Sequence, residues 1–277
     1  MKKLLLLLAV AYSSLSAQNN SCCKISMNDE NNLLAMNESF AKTHLPPVPF
    51  TLQNPKGNMV PFKTADGKPA HAYVVKSEKP ATKVLFVFHE WWGLNDYMKE
   101  EADKLQAELG DVDVYALDLY DGNVATTVTE AQKYMGEMKE VRSMAIIKGA
   151  VDLVGKKVSI ASIGWCMGGA WSLQAALAEG KQAVACVMYY GMPEKDIKKL
   201  KTLNCDVFGV FGTQDKFINP VVVKTFQENM QKADKKLAVH NYDADHAFAN
   251  PSNPKYNKPF ADEAHAKAVA YLKERLK

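Results

Sequence analysis

Short apolar runs recur along the last two hundred residues, separated by stretches whose apolar positions fall at helical spacing. Val84-Leu85-Phe86-Val87-Phe88, Val112 to Leu119, Val158 to Ile163, Val184 to Tyr190, Val207 to Phe211 and Leu237 to Tyr242 are runs of the kind buried on both faces of a parallel sheet. Between them, Tyr134, Met138, Val141 and Ala145 fall on one face of a predicted helix, and Ala264, Ala268, Tyr271 and Arg275 trace a final helix with Arg275 near its solvated end. Upstream, Met59 to Lys63 and Ala70 to Val75 flank the turn signal Ala65-Asp66-Gly67-Lys68, which predicts a hairpin. The alternation of strand and helix predicts an α/β domain over 58–277, with a mostly parallel central sheet, helices on both of its faces and a short antiparallel start.

The segment before this domain reads differently. Met1-Lys2-Lys3, the apolar run Leu4 to Val10 and Ser13-Ser14-Leu15-Ser16-Ala17 form a secretory signal peptide over 1–17, with cleavage expected after Ala17. The apolar run is too short for a membrane anchor, and Gln18 stands where a lipoprotein would need cysteine. An exported protein, periplasmic or secreted, without a stable membrane anchor is therefore expected. Residues 18–57 form a polar, Asn-rich extension with a modest helical pattern from about Asn31 to Lys42, ending in Leu45-Pro46-Pro47-Val48-Pro49, where successive prolines favour an extended connector.

Composition narrows the classes. At 277 residues, 47% hydrophobic and 23% charged, the chain can bury one large core, and disorder and multi-span membrane classes fall away. Loss of Lys2 and Lys3 takes the 34 basic residues to 32 against 31 acidic, so no basic face for nucleic acid is expected. Five cysteines, at 22, 23, 166, 186 and 205, are an odd number for an oxidising compartment, so at least one thiol is expected to stay unpaired within a monomer. Cys186 and Cys205 adjoin apolar runs and read as core, whereas Cys22-Cys23 can pair internally, cap another cysteine or bridge chains.

Cys166 stands apart because Gly164-Trp165-Cys166-Met167-Gly168-Gly169 places it between a strand and an Ala- and Leu-rich helix. Reactive groups gather beyond the carboxyl ends of parallel strands. A sharp strand-to-helix turn needs small residues two positions to either side of the nucleophile, and Gly164 and Gly168 supply them. The helix that follows points free N–H groups toward the sulfur and favours thiolate. The N–H of Met167 is one expected donor to an oxyanion, and that of Trp91, in the loop after Phe88, is the second. Asp215 follows one later strand and His246 the last, so nucleophile, acid and histidine come in α/β-hydrolase order.

With these motifs the chain resembles the dienelactone hydrolase family of α/β-hydrolases, from about residue 58 to the C-terminus. The matching segments are Gly164 to Gly169, Phe88-His89-Glu90-Trp91-Trp92-Gly93-Leu94, Gly212-Thr213-Gln214-Asp215 and His246-Ala247-Phe248. The resemblance implies hydrolysis of a carboxylic ester or lactone through a thioester on Cys166, with His246 as base and Asp215 orienting it. It also implies that Glu90 touches the resting thiol and holds it protonated until substrate arrives. Family members that act on dienelactone carry an arginine four residues after the histidine to grip a carboxylate. Asn250 stands there instead, which leaves a neutral ester or another lactone equally open. Trp92, Phe217, Phe248 and Asn250 are the candidate pocket residues, with Trp91 a further aromatic wall.

Neither a metal nor an organic cofactor is expected: there is no Cys/His spacing of a zinc motif, no P-loop and no G-x-G-x-x-G after an early strand. The expected partner is a small ester or lactone, not nucleic acid. The alternatives are a binding protein on a hydrolase scaffold and a thiol-redox protein. No C-x-x-C favours the second, and intact Cys166, Asp215 and His246 weigh against the first.

Overall fold

A computed structural model of the protein describes residues 25–253 and 255–277, so the signal-peptide reading and the fate of Cys22 and Cys23 lie outside the described residues. The apolar runs become strands: β1 (Asn58–Phe62), β2 (Ala70–Val75), β3 (Lys83–Phe88), β4 (Asp113–Leu117), β5 (Ser159–Trp165), β6 (Ala183–Tyr189), β7 (Asp206–Gly212) and β8 (Leu237–Tyr242). They form one sheet in the order β1-β2-β4-β3-β5-β6-β7-β8. β1, β2 and β4 pair antiparallel, and every pairing from β4 through β3 to β8 is parallel. The inner strands β3 and β5 are buried almost throughout, as continuous apolar runs require. β8 is the exception among the parallel strands: at the sheet edge its residues are half-buried or exposed up to the buried Tyr242, rather than covered on both faces.

The helices are α1 (Met27–Ala35), α2 (Glu38–Ala41), α3 (Asp96–Leu109), α4 (Val128–Gly136), α5 (Glu140–Val154), α6 (Met167–Glu179), α7 (Ile197–Leu200), α8 (Pro220–Lys232) and α9 (Lys258–Arg275). α3 and α9 pack together over β2, β4, β6 and β7, while α5 and α6 pack together over β1, β3, β4, β5 and β6. α3 and α8 begin on asparagine caps, Asn95 and Asn219, that accept from the first free N–H groups. Arg275 lies in the last turn of α9 and pairs with Asp206, as its place in the pattern suggested.

Two helical expectations need correction. The single face through Tyr134, Met138, Val141 and Ala145 is divided between α4 and α5, with Met138 in the break and Val141 78% exposed. The capping box of Thr127 and Glu130 starts α4, and the chain turns after Gly136, so a helical period read across the turn joins two helices. The pattern placed at Asn31 to Lys42 is likewise two helices: α1 starts four residues earlier on the Ser26–Asp29 capping box, and Asn37 caps α2. Neither segment floats free. Asn28 and Asn32 donate to the Met138 carbonyl in the α4–α5 break, and Gln132 donates to the Ala35 carbonyl. The connector after Leu45 runs along α3, where Asp96 and Asp103 accept from the N–H groups of Leu52 and Lys56.

Candidate active site

Cys166 sits in the turn between β5 and α6 with φ 55° and ψ −121°, a conformation an L-residue adopts only where its surroundings hold it. The packing around the turn is what does so. A Cβ on Gly164 would stand 2.1 Å from the Gly168 carbonyl oxygen, and one on Gly168 would stand 2.3 Å from the carbonyl oxygen of Phe88 and 2.4 Å from that of His89. Glycine at both positions lets the elbow press against the end of β3. Met167 is the first residue of α6, so its N–H has no partner within the helix. Trp91 lies in the turn that Gly93 closes onto the Glu90 carbonyl.

β7 and β8 deliver the other two groups. His246 Nε2 lies 3.3 Å from Cys166 Sγ, and its Nδ1 lies 2.6 Å from Asp215 Oδ2. Asp215 Oδ1 accepts from the N–H groups of Phe217 and Ile218, which fixes the carboxylate from behind. All three residues are buried. Burial works against a charge on His246, but Asp215 and Cys166, by charge and by hydrogen bonds, outweigh it and hold its pKa well above the ordinary histidine value. For Asp215 burial is outweighed in the same way by His246 and the two N–H donors, and its pKa falls. Two other carboxylates on the histidine loop are occupied elsewhere: Asp243 accepts from Thr213 and Gln214, and Asp245 pairs with Lys255.

Glu90 departs from expectation. Its carboxylate accepts from Asn250 Nδ2 at 2.5 Å and from the Tyr190 hydroxyl at 3.3 Å, while the sulfur is hydrogen-bonded to His246, so Glu90 makes no hydrogen bond to the thiol in this arrangement. Burial pushes Glu90 up to about 7 against the opposing influence of His246, Asn250 and Tyr190. Asn250 is thereby committed, since its Oδ1 also accepts from Ser252. A cavity of about 410 Å³ is lined by Glu90, Trp92, Trp165 and Asn250 among others, and reaches this pair without being lined by Cys166, Asp215 or His246. Of the four candidate pocket residues, Trp92 and Asn250 line it. Phe248 is fully buried against Tyr190 and Tyr242, whereas Phe217 is half-buried and packs edge-on to Phe40; neither lines the cavity. Trp91 is fully buried as well. His89 is a strand-end packing residue: its Nδ1 lies 2.6 Å from the Glu90 carbonyl and its Nε2 accepts from the Leu119 N–H. Arg142 lies away from the sulfur, tied to Asp66 and Asp121 beside the β1–β2 turn.

Sequence reasoning missed the contribution of the N-terminal segment. Phe40 and His44, on and just after α2, reach the centre of the site: the His44 ring lies 5.3 Å from that of His246 and 4.3 Å from that of Trp91, and Phe40 lies 5.5 Å from His246. His44 Nδ1 lies 2.9 Å from the Phe40 carbonyl, and its Nε2 is buried with no hydrogen-bond partner among the described residues. Burial first, and then the charge of His246, push His44 down to about 3. Although no zinc motif exists in the sequence, His44, Cys166 and His246 bring one ligand atom each to within 4.8 Å of one another. The only sequence signal for this was a Phe and a His four apart on a polar segment, a pair that names no target.

The sheet order and the Cys–His–Asp cluster at its carboxyl edge define an α/β-hydrolase fold. Residues 70–276 match the dienelactone hydrolase family. A putative carboxymethylenebutenolidase of Aquifex aeolicus is 30% identical over 236 residues, covering 80% of this chain and all of the relative, and Protein usf of Aquifex pyrophilus is also 30% identical, covering 79% of this chain and 99% of the relative. Among solved structures, a putative dienelactone hydrolase from Klebsiella pneumoniae superposes with a TM-score of 0.67 at 19% identity, covering 78% of this chain and 97% of that one. The chain belongs to the dienelactone hydrolase family, and with it to the carboxylic ester and lactone hydrolases.

Proposed function

We propose that the protein is an exported hydrolase that opens a carboxylic ester or lactone by attack of Cys166. The observation that carries this reading is the relay Cys166 Sγ, His246 Nε2, His246 Nδ1 and Asp215 Oδ2, with separations of 3.3 and 2.6 Å. In the forward step His246 Nε2 takes the thiol proton as sulfur bonds to the carbonyl carbon. Asp215 holds the ring and stabilises its charge. The N–H groups of Met167 and Trp91 are the proposed donors to the oxyanion. Collapse breaks the C–O bond, the leaving alkoxide takes the proton back from His246, and a thioester remains. Water, deprotonated by the same imidazole, then attacks the thioester and releases the acid and the thiol.

A neutral substrate suits the cavity best. Glu90, Glu100, Glu101 and Asp262 line it against Lys104 and His265, and Asn250 donates its amide to Glu90 rather than offering a cation to a substrate carboxylate. Glu90, sharing its oxygens with Asn250 and Tyr190, is proposed to set the electrostatics beside the sulfur, and not to grip the thiol.

Hydrolysis of p-nitrophenyl acetate by the mature protein, beside Cys166→Ala, tests the nucleophile. The expected loss is roughly 10³-fold or more, with an acyl adduct on the Cys166 peptide by mass spectrometry in the unsubstituted protein. Equal release from both proteins defeats the reading. Export is tested by N-terminal sequencing of protein recovered outside the cytoplasm, where Gln18 is the expected first residue and an intact Met1 contradicts it.

A further inference from the structure

The N-terminal segment gives the site a third donor for which hydrolysis has no use. One ring nitrogen of His44, Cys166 Sγ and one ring nitrogen of His246 lie within 4.8 Å of one another, all on buried residues. Both imidazoles are held in the manner of metal ligands: His246 by a carboxylate on Nδ1 at 2.6 Å, and His44 by the Phe40 carbonyl on Nδ1 at 2.9 Å. With Nδ1–H donating in each ring, Nε2 is the nitrogen left to bind a cation once the ring is neutral, and that of His246 already lies 3.3 Å from the sulfur. His44 Nε2 has no hydrogen-bond partner among the described residues, although a buried polar atom of this kind is seldom left unsatisfied.

We propose that these three atoms form a site for a thiophilic divalent cation of the zinc(II) type, and that occupancy of the site holds hydrolysis off. A thiolate and two imidazoles suit zinc and do not suit magnesium or calcium. Zn–S near 2.3 Å and Zn–N near 2.0–2.1 Å set neighbouring tetrahedral ligand atoms about 3.4–3.6 Å apart. The Cys166–His246 separation of 3.3 Å already matches this edge, and the widest of the three needs to close by no more than about 1.4 Å. Binding forms an S–metal bond and two N–metal bonds, and the thiol proton leaves to solvent. A water completes the fourth position. The cation then occupies both the nucleophile and its base, and no redox partner is required. The inhibitory half of the proposal rests on the hydrolytic reading of Cys166, whereas the site itself does not.

The test uses the full mature chain, stripped with EDTA and titrated with cobalt(II) chloride, then with zinc(II) chloride during p-nitrophenyl acetate turnover. One equivalent of cobalt is expected to give the intense near-ultraviolet sulfur-to-metal band and the visible bands of a tetrahedral thiolate site, both absent in Cys166→Ser. His44→Ala is expected to weaken cobalt binding and zinc inhibition roughly tenfold or more, because loss of a ligand exceeds the loss of an outer partner. His44→Phe, which keeps a ring packed against Phe40 and Trp91, should weaken them equally and so separates a lost donor from a loosened segment. No cobalt band, or equal affinity in both His44 variants and the parent, overturns the site. Zinc-insensitive turnover would overturn the inhibition while leaving the hydrolase intact, and a cobalt band in a chain without turnover would keep the site and remove the hydrolase.

Discussion

The elbow that carries Cys166 and the segment that carries His44 bring side chains to the same few ångströms by opposite means. Backbone fixes the elbow, where Gly164 and Gly168 bring it against the carbonyls of β3 and leave no room for another arrangement. Side chains fix the N-terminal segment: amides of Asn28, Asn32 and Gln132 reach carbonyls of the α4–α5 region, Lys195 pairs with Glu30, and rings of Phe40 and His44 meet Trp91 and His246. A backbone-fixed site should resist perturbation until the whole domain fails. A side-chain-fixed cover should yield by degrees and locally.

Four substitutions sharpen that contrast. Gly168→Ala forces a methyl into the carbonyls of Phe88 and His89, and urea denaturation should show a loss of about 3 kcal/mol shared by every probe of the domain. A loss confined to the active-site loop would mean that the elbow is softer than its contacts imply. Glu90→Gln addresses the buried carboxyl between the two regions. With its folded pKa raised to about 7, Glu90 favours the folded state fully below its unfolded value near 4.5, and that contribution declines as pH rises through 7. Stability measured at pH 4.5 and pH 7.5 should differ by about 2 kcal/mol more in the parent than in Glu90→Gln.

Phe40→Ala tests the cover. Alkylation of Cys166 by iodoacetamide should accelerate about tenfold, while the denaturation midpoint of the sheet moves little. Unchanged alkylation would show that the segment does not shield the sulfur. Asn28→Ala removes one amide contact to Met138 and should lower the stability of the segment by about 1 kcal/mol, seen as faster amide exchange in α1 without change in α6.

The same contrast explains what the sequence disclosed. The parallel strands were legible because residues covered on both faces leave unbroken apolar runs, and the triad because each member follows such a run. Gly164 and Gly168 were legible because backbone crowding admits a single residue type. Side-chain choices left weaker marks. The break at Met138 carries no proline or glycine-rich signal strong enough to interrupt the helical period. Phe217 and Phe248 look alike in sequence whether they face a cavity or the interior. Glu90 was expected at the thiol, but its partners Tyr190 and Asn250 come from distant loops, just after β6 and well after β8. His44 was invisible because its neighbours at the site arrive from positions up to two hundred residues away.

That separation sets a timetable for biosynthesis. His246 reaches the sulfur from a loop 80 residues downstream, whereas the His44 ring packed against it is translated long before either. An incomplete chain therefore carries Cys166 without the imidazole that would rouse it. The finished chain docks β8 and its loop in a fold whose other histidine has been waiting since the start of synthesis.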